Sequence, residues 1–134
     1  ERGIRRAIEL PVSAPFHCAL MKPAEIRLEP ELRALVARDP SVPVIANIDA
    51  KPKRLGTESV EALIRQVSLP VLWEASMRTL IEAGVSTFLE VGPGRVLAGL
   101  IKKIDRAVRV LNVEDLDSLT LVESTWGSSG DNSG

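Results

Sequence analysis

The chain has 134 residues, which suits one compact domain, and 45% of them are hydrophobic, enough for a core. Lys and Arg number 17 against 18 Asp and Glu. This balance argues against nucleic acid as the main partner, because nucleic-acid-binding domains usually carry a basic excess. Aromatic residues make up only 3% and tyrosine is absent, so stacking platforms for bases are not expected.

Cysteine and histidine each occur once in the chain, as Cys18 and His17. One cysteine allows no internal disulfide, and the chain begins without a signal-like apolar run, so the sequence predicts a reducing, cytoplasmic location. No stretch approaches ~18 uninterrupted apolar residues, so no membrane segment is expected. One histidine and one cysteine cannot build the usual ligand sets, so no metal site is expected.

The spacing of apolar residues predicts two strands and one long helix in the first part of the chain. Pro30 lies within the helical pattern, where it removes a backbone donor, so a kink or a restart is expected there. The expected elements are a strand at Arg5–Leu10, an irregular segment around His17, a helix at Met21–Val36 with Met21, Ala24, Leu28, Leu32 and Leu35 on one face, a buried strand at Val42–Ile48 and a loop at Asp49–Gly56.

The remainder of the chain predicts helices and strands in alternation. Thr57 is a plausible N-cap for the next helix, and Gly84 a plausible stop for the one after it. The expected elements are a helix ending before Pro70 with Val60, Leu63, Ile64 and Val67 on one face, a helix at Trp73–Ala83 with Met77, Leu80 and Ile81 inward, a strand at Val85–Val91, a turn at Gly92-Pro93-Gly94, a helix at Arg95–Ile104, a strand at Val108–Val113, a helix from Glu114 to about Val122 and a disordered tail from Ser124.

Strands that alternate with helices indicate an α/β fold with a mostly parallel sheet flanked by helices. Four strands make a small sheet, and an isolated piece would leave an apolar edge open. We therefore expect this sheet to be part of a larger one, and the chain alone to be marginally stable.

Three segments of the chain resemble the malonyl-CoA:acyl-carrier-protein transacylases of bacterial type II fatty acid synthesis, in that family's order and spacing. They are Pro11–Pro23 with its single histidine, Val60–Trp73 with Ala62-Leu63-Ile64-Arg65-Gln66-Val67, and Phe88–Leu97 with Val91-Gly92-Pro93-Gly94. The resemblance runs to about residue 119 and corresponds to the C-terminal portion of the family. It implies the end of a small ferredoxin-like subdomain at 1–11, part of the large α/β-hydrolase-like subdomain at 12–123 and a disordered tail at 124–134.

The resemblance implies transfer of a malonyl group from coenzyme A to the pantetheine thiol of acyl carrier protein, with malonyl-CoA as substrate and no cofactor. The family's nucleophile is a serine on a sharp strand-to-helix turn of the Gly-His-Ser-Leu-Gly type. This chain contains no Gly-x-Ser-x-Gly sequence. We therefore expect the serine, and the arginine that binds the malonyl carboxylate, to come from an N-terminal portion absent from this chain.

His17 is the candidate catalytic residue, because imidazole can take and give a proton near neutral pH. A lone histidine is more often structural, but the resemblance implies that His17 is the general base. It also implies that the main-chain carbonyl of Gln66 orients the ring, where most triads use a carboxylate. The alternative for Gln66 is an exposed glutamine at a helix end.

Two further residues are candidates for substrate binding. Phe16 directly precedes the base, and the resemblance associates a phenylalanine there with malonyl rather than methylmalonyl units; a core phenylalanine is the alternative. Asn47 ends a predicted strand, where α/β sites often lie, and the resemblance implies a hydrogen-bonding role in the site. Cys18 matches a family position without a catalytic role.

Other features leave alternatives open. Gly92-Pro93-Gly94 before a helix could cradle a phosphate, although a tight strand-to-helix crossover is the more common use. The chain could also be a catalytically inactive domain that binds acyl carrier protein or another partner. A basic cluster could then meet the acidic carrier; the candidates are Arg5, Arg6, Lys51, Lys53, Arg54, Lys102, Lys103, Arg106 and Arg109.

Overall fold

The structure, a computed structural model, describes residues 14–127. The chain divides into two compact units, one up to Leu72 and one from Trp73. The predicted strand at Arg5–Leu10 and the subdomain end at 1–11 lie outside the described residues. The elements are α1 (Lys22–Arg33), β1 (Val44–Ile45), β2 (Pro52–Lys53) and α2 (Gly56–Arg65) in the first unit, then α3 (Trp73–Glu82), β3 (Thr87–Val91), α4 (Val96–Ile104), β4 (Arg109–Val113) and α5 (Leu116–Gly127) in the second.

Helix α1 follows a short 3-10 turn and continues through Pro30 without the restart that the sequence predicts. Its predicted apolar face is wrong in part, since Leu28 and Leu35 are exposed. The buried residue is Glu25, with 4% of its surface exposed. The reason is that α1 is tied down by a polar contact from Glu25 to the segment after α2, and not only by an apolar stripe.

The predicted buried strand at 42–48 is instead a short β-hairpin. Only β1 is extended, and it pairs antiparallel with β2, which lies in the predicted loop. Val44 remains 49% exposed. The turn between the strands closes on Asp49, whose carboxylate accepts hydrogen bonds from Lys51 N at 3.1 Å and Lys53 Nζ at 2.6 Å. Burial raises the pKa of Asp49, but these bonds outweigh it, and the net shift is downward.

Helix α2 begins one residue before the predicted N-cap Thr57, because the preceding backbone is capped by a carboxylate from inside the helix. The side chain of Glu58 accepts hydrogen bonds from Arg54 N at 3.0 Å and Leu55 N at 3.3 Å. These bonds satisfy amides that no helical carbonyl reaches, and they lower the pKa of Glu58. The buried side is also shifted from the prediction: Leu63 is exposed, and the buried positions are Val60, Ala62 and Ile64.

In the second unit, β3 and β4 form a parallel pair, in register from Thr87 opposite Arg109 to Val91 opposite Val113. The predicted helices on either side of β3 are present within two residues of their predicted bounds. Gly84 stops α3 with a φ of +90°. The core forms as predicted around the inward side of α3, and its buried members are Met77, Phe88, Ile101 and Val108.

The turn at Gly92-Pro93-Gly94 is a strand-to-helix crossover, and a carboxylate of the same chain occupies the place at the start of α4 where an anion would bind. Gly92 and Gly94 have φ values of +137° and +85°, which favour glycine. The carboxylate of Glu90 accepts hydrogen bonds from Leu97 N at 3.0 Å and Ala98 N at 2.8 Å. Because these are the amides with which a helix N-terminus would bind phosphate, the crossover interpretation is the one that the structure supports.

Helix α5 extends to Gly127, five residues beyond its predicted end, so residues 124–127 are helical and not part of a disordered tail. The hydroxyl of Thr125 donates to Leu121 O at 2.5 Å, and Val122 is buried, which together hold this last turn. The rest of the predicted tail lies outside the described residues. Within residues 14–127, no helix is long and apolar enough to cross a membrane.

A pair of Gly→Ala substitutions tests the packing at the start of α2. A Cβ at Gly56 would lie 2.3 Å from Ala37 O and 2.8 Å from Arg38 O, both backbone atoms. Gly56→Ala is therefore expected to lower the free energy of unfolding by about 2 kcal/mol, as overpacking does. Gly99 is the matched control: nothing lies within 4 Å of its Cβ position inside α4, so Gly99→Ala is expected to raise stability by about 0.5–1 kcal/mol. Denaturant melts of the chain measure both, and equal effects would contradict the packing described.

Candidate active site

His17 is exposed and adopts a left-handed backbone conformation, with a φ of +54°. A residue with a Cβ pays about 1–2 kcal/mol for this conformation, so it persists only where neighbouring contacts hold it. The preceding turn supplies some of them: Phe16 N donates to Ala14 O at 3.0 Å, and Cys18 Sγ donates to Pro15 O at 3.1 Å. The segment thus presents the imidazole outward from a constrained turn.

The imidazole of His17 is held from one side by the end of α2. Its Nδ1 lies 2.8 Å from the main-chain oxygen of Gln66, the C-cap residue of that helix. A carbonyl oxygen only accepts hydrogen bonds, so Nδ1 must carry the proton and donate it. The last carbonyls of a helix lack helical partners and lie at the negative end of its dipole, which suits this acceptor role. The neutral ring therefore keeps Nε2 as the unprotonated nitrogen.

A cavity of about 230 Å³ lies between the β-hairpin and α2, and it brings Asn47 and Gln66 together. Asn47 is fixed through its main chain, since its carbonyl accepts from Leu72 N at 2.8 Å. Phe16 is not among the residues that line this cavity, and it is 62% exposed, so it does not belong to the core of this chain. The cavity is lined by Val44, Ile45, Ala46, Asn47, Lys53, Ser59, Ala62, Leu63 and Gln66.

Chemically, this arrangement offers a base whose tautomer is fixed and whose reactive nitrogen is unprotonated. Cys18 does not serve as its nucleophile in this geometry, because the thiol donates to the backbone oxygen of Pro15. In the part of the chain that the structure describes, no three His, Cys, Asp or Glu side chains come together to hold a metal ion.

In the same unit as His17 and Gln66, the structure shows a buried contact between Glu25 and Ser68 that sequence reasoning missed. Glu25 extends from the first turn of α1, and its two carboxylate oxygens accept hydrogen bonds from Lys22 Nζ and Ser68 Oγ. The bonds from Lys22 and then Ser68 lower the pKa of Glu25, although its burial opposes them. The only sequence signal was the spacing of three residues between Lys22 and Glu25, which is common on exposed helices.

Comparison with known proteins shows which proteins this chain is similar to. No protein-family model matches the chain. The chain is 43% identical to the malonyl CoA-acyl carrier protein transacylase of Bacillus subtilis over 132 residues, which are 98% of this chain and 42% of that protein. It is 47% identical to the Escherichia coli protein of the same name over 102 residues, 76% of this chain and 33% of that protein.

Solved structures agree with the sequence matches. The transacylase of Clostridium perfringens superimposes with a TM-score of 0.81 at 42% identity, over 92% of this chain and 39% of that one. A malonyl-transacylase solved in complex with its type II PKS acyl-carrier protein gives 0.83 at 40% identity, over 92% of this chain and 40% of that one. The chain is similar to one part of the malonyl CoA-acyl carrier protein transacylases. The predicted resemblance to the C-terminal portion of these transacylases and the predicted α/β fold class are confirmed.

The match spans about two fifths or less of the length of the transacylases named here. His17 and Gln66 lie within the stretch that is similar to the Bacillus subtilis transacylase. The roles of these two residues, and those of Phe16 and Asn47, stay predictions.

Acid should weaken the contact between α1 and the segment after α2. The pKa of Glu25 is lowered by folding from its ordinary value of 4.5, so its carboxylate stabilises the fold above pH 4.5, and this contribution is lost as the pH falls through the lowered value. Melting temperatures of the chain between about pH 3 and about pH 7 are expected to fall less steeply on the acid side in Glu25→Gln than in the unmodified chain. Glu31→Gln, at an exposed position of the same helix, should leave the profile unchanged. Equal acid slopes for Glu25→Gln and the unmodified chain would contradict this account.

Proposed function

We propose that this chain provides the general base of a malonyl-CoA:acyl-carrier-protein transacylase, whose serine nucleophile is carried by an N-terminal portion outside the chain. The observation that carries the proposal is the 2.8 Å contact from Nδ1 of His17 to Gln66 O, which leaves Nε2 as the basic nitrogen. A neutral carbonyl takes the place of the aspartate found in most triads, because either acceptor fixes the tautomer.

The proposed cycle has two half-reactions, and His17 moves one proton in each direction in both. First, Nε2 takes the serine hydroxyl proton as the serine oxygen bonds to the thioester carbonyl of malonyl-CoA. The carbon–sulfur bond then breaks, and the proton passes to the departing coenzyme A sulfur. In the second half, Nε2 takes the proton of the pantetheine thiol of acyl carrier protein, the thiolate attacks the malonyl-serine ester, and the proton returns to the serine oxygen. Every step is a proton transfer or an acyl transfer, so the cycle needs no cofactor.

Phe16 and Asn47 are proposed as substrate-binding residues. Phe16 is exposed beside the base, where its ring is available to limit space near the acyl group. Such a contact favours malonyl over methylmalonyl by about 1–3 kcal/mol, the usual effect of one methyl-sized group. Asn47 is on the wall of the cavity that also contains Gln66, and its amide is proposed to hydrogen-bond within the assembled site.

We also propose the domain organisation and the location that the sequence predicts. Residues 1–11 would end a small ferredoxin-like subdomain, and the following residues would form part of the large subdomain, whose last helix reaches Gly127. The single cysteine supports a reducing cytoplasm as the location. Acyl carrier protein, malonyl-CoA and the N-terminal portion are the proposed partners.

A second candidate function is a catalytically inactive domain that binds acyl carrier protein. The observation that favours it is the absence of any Gly-x-Ser-x-Gly sequence from the chain. The two candidates differ in one measurable respect. A transacylase part becomes active when a serine-bearing portion is supplied, whereas an inactive domain still binds the carrier and transfers nothing.

A chimeric enzyme distinguishes the two candidates. In the Bacillus subtilis transacylase, this chain replaces the 132-residue stretch to which it is similar. We expect the chimera to transfer malonyl from malonyl-CoA to acyl carrier protein, measured by mass spectrometry of the loaded carrier. A folded chimera that binds the carrier but transfers no malonyl would support the inactive domain instead.

Substitutions in the chimera test the roles of His17 and Gln66. His17→Asn removes the base but tolerates a left-handed backbone, and it is expected to lower kcat by about 10³ or more, as does His17→Ala. Gln66→Ala keeps the main-chain carbonyl, so its kcat should stay within about threefold of the unmodified chimera. Cys18→Ala is the control next to the base. Full activity in the His17 variants would overturn the base assignment.

A further inference from the structure

In the first unit, two side-chain contacts join the segment from His17 to the start of α1 with the segment that ends α2. His17 and Gln66 form the first contact. Glu25 and Ser68 form the second, between the start of α1 and the turn that follows α2. Glu25 lies eight residues after the base, and Ser68 lies two residues after the carbonyl that holds it. Both Glu25 and Ser68 are buried.

The turn that contains Ser68 follows directly after the Gln66 carbonyl. The main chain after α2 continues as a turn, in which Leu69 N donates to Arg65 O at 3.2 Å, and Val67 N donates to Ile64 O and Ser68 N to Arg65 O, each at 3.4 Å. Bonds of this length are weak, so they do not fix the Gln66–Val67 peptide plane by themselves. The side-chain bond from Ser68 to a buried carboxylate is charge-assisted and stronger.

The other end of the same link lies close to His17. Glu25 is in the first turn of α1, which follows directly from the 3-10 turn after the base. Lys22 donates to the second carboxylate oxygen of Glu25, so neither oxygen is free to rotate away. Because the pKa of Glu25 is lowered, the carboxylate stays ionised and accepts both bonds at neutral pH. The link therefore joins the first turn of α1, which follows the segment of His17, to the turn after α2.

We propose that Glu25 and Ser68 are positioning residues: their hydrogen bond holds the turn after α2 so that the Gln66 carbonyl stays directed at Nδ1 of His17. The inference rests on the proposed function for its effect on turnover, but its effect on the imidazole exists in the chain by itself. Without the link, the peptide plane turns, the ring loses its acceptor, and the tautomer protonated at Nε2 becomes populated. That tautomer cannot take a proton at Nε2.

The tautomer of His17 is read by ¹⁵N NMR of the full chain, because protonated and bare ring nitrogens have well-separated chemical shifts. We expect the neutral ring to be mainly protonated at Nδ1 in the unmodified chain, and the ratio of tautomers to move toward Nε2 by about tenfold in Ser68→Ala. Ser68→Thr keeps the hydroxyl and should restore the ratio. Glu25→Gln preserves the volume of the side chain, and it is expected to move the ratio in the same direction as Ser68→Ala.

Arg33→Ala is the matched control, because Arg33 also links α1 to α2 but does so far along the helix from His17. Its guanidinium bonds to Glu61 Oε2 at 2.9 Å and to Glu29 Oε1 at 2.7 Å. If loosening of α1 against α2 were enough to change the tautomer ratio, Arg33→Ala would change it too. If Glu25 and Ser68 position the Gln66 carbonyl specifically, Arg33→Ala would not change it. We expect Arg33→Ala to leave the tautomer ratio unchanged.

The chimera provides a second readout. Ser68→Ala is expected to lower kcat about tenfold and to change KM less than about twofold, with recovery in Ser68→Thr. An unchanged tautomer ratio in both Ser68→Ala and Glu25→Gln overturns the positioning role, whatever the activity. A tautomer shift in an inactive chimera supports the positioning role while it refutes the proposed function, so the two failures are distinguishable.

Discussion

The hydrogen bond between the imidazole of His17 and the carbonyl of Gln66 joins residues 49 positions apart, and it ties the segment before α1 to the end of α2. It fixes a ring on a left-handed residue against the end of a helix. The acceptor is a main-chain carbonyl, which does not itself titrate. Its position in the last turn of α2 leaves it without a helical donor, so it is available to the side chain.

Carboxylates organise much of the remaining framework, and they do so by capping. Glu58 caps the start of α2, Glu90 caps the start of α4, and Asp49 closes the hairpin. Each of these side chains occupies a place where free amides would otherwise attract an external anion. The crossover at Gly92-Pro93-Gly94 illustrates the consequence, because the carboxylate of Glu90 already takes the place a phosphate would need. The chemistry is thereby concentrated at His17.

We propose His17 as a general base, and the chain contains no Gly-x-Ser-x-Gly sequence that would carry the matching serine nucleophile. The chain corresponds to about two fifths of the transacylase of Bacillus subtilis. Under the proposed function, it supplies the proton-transfer part of a serine mechanism: the imidazole of His17 and the Gln66 carbonyl that would orient it, with the Glu25–Ser68 link in adjoining segments. The serine turn, which makes and breaks covalent bonds with the substrate, is proposed to lie in an N-terminal portion outside this chain. The two proposed parts are separately testable.

The sequence by itself determined the elements whose signals are local. The helices and strands from Trp73 to Val113 follow from helical spacing, apolar runs and a glycine stop, because each depends on residues within a few positions of one another. The three motifs and the lone histidine also identified the family resemblance and the candidate base. The order of these motifs along the chain was enough to identify the resemblance, because a comparison of order needs no knowledge of tertiary contacts.

Only the tertiary structure decided the features that join distant residues. The hairpin of β1 and β2 replaced a predicted long strand, because hydrogen bonds to Asp49 fold the chain back on itself there. No residue pattern marks Glu25 for burial, yet its side chain is buried against a serine 43 positions away. Every residue has a carbonyl, so apart from the family resemblance no residue pattern shows which one accepts from an imidazole. Which carbonyl accepts the bond is decided by the tertiary path of the chain, and periodicity and composition do not show that path.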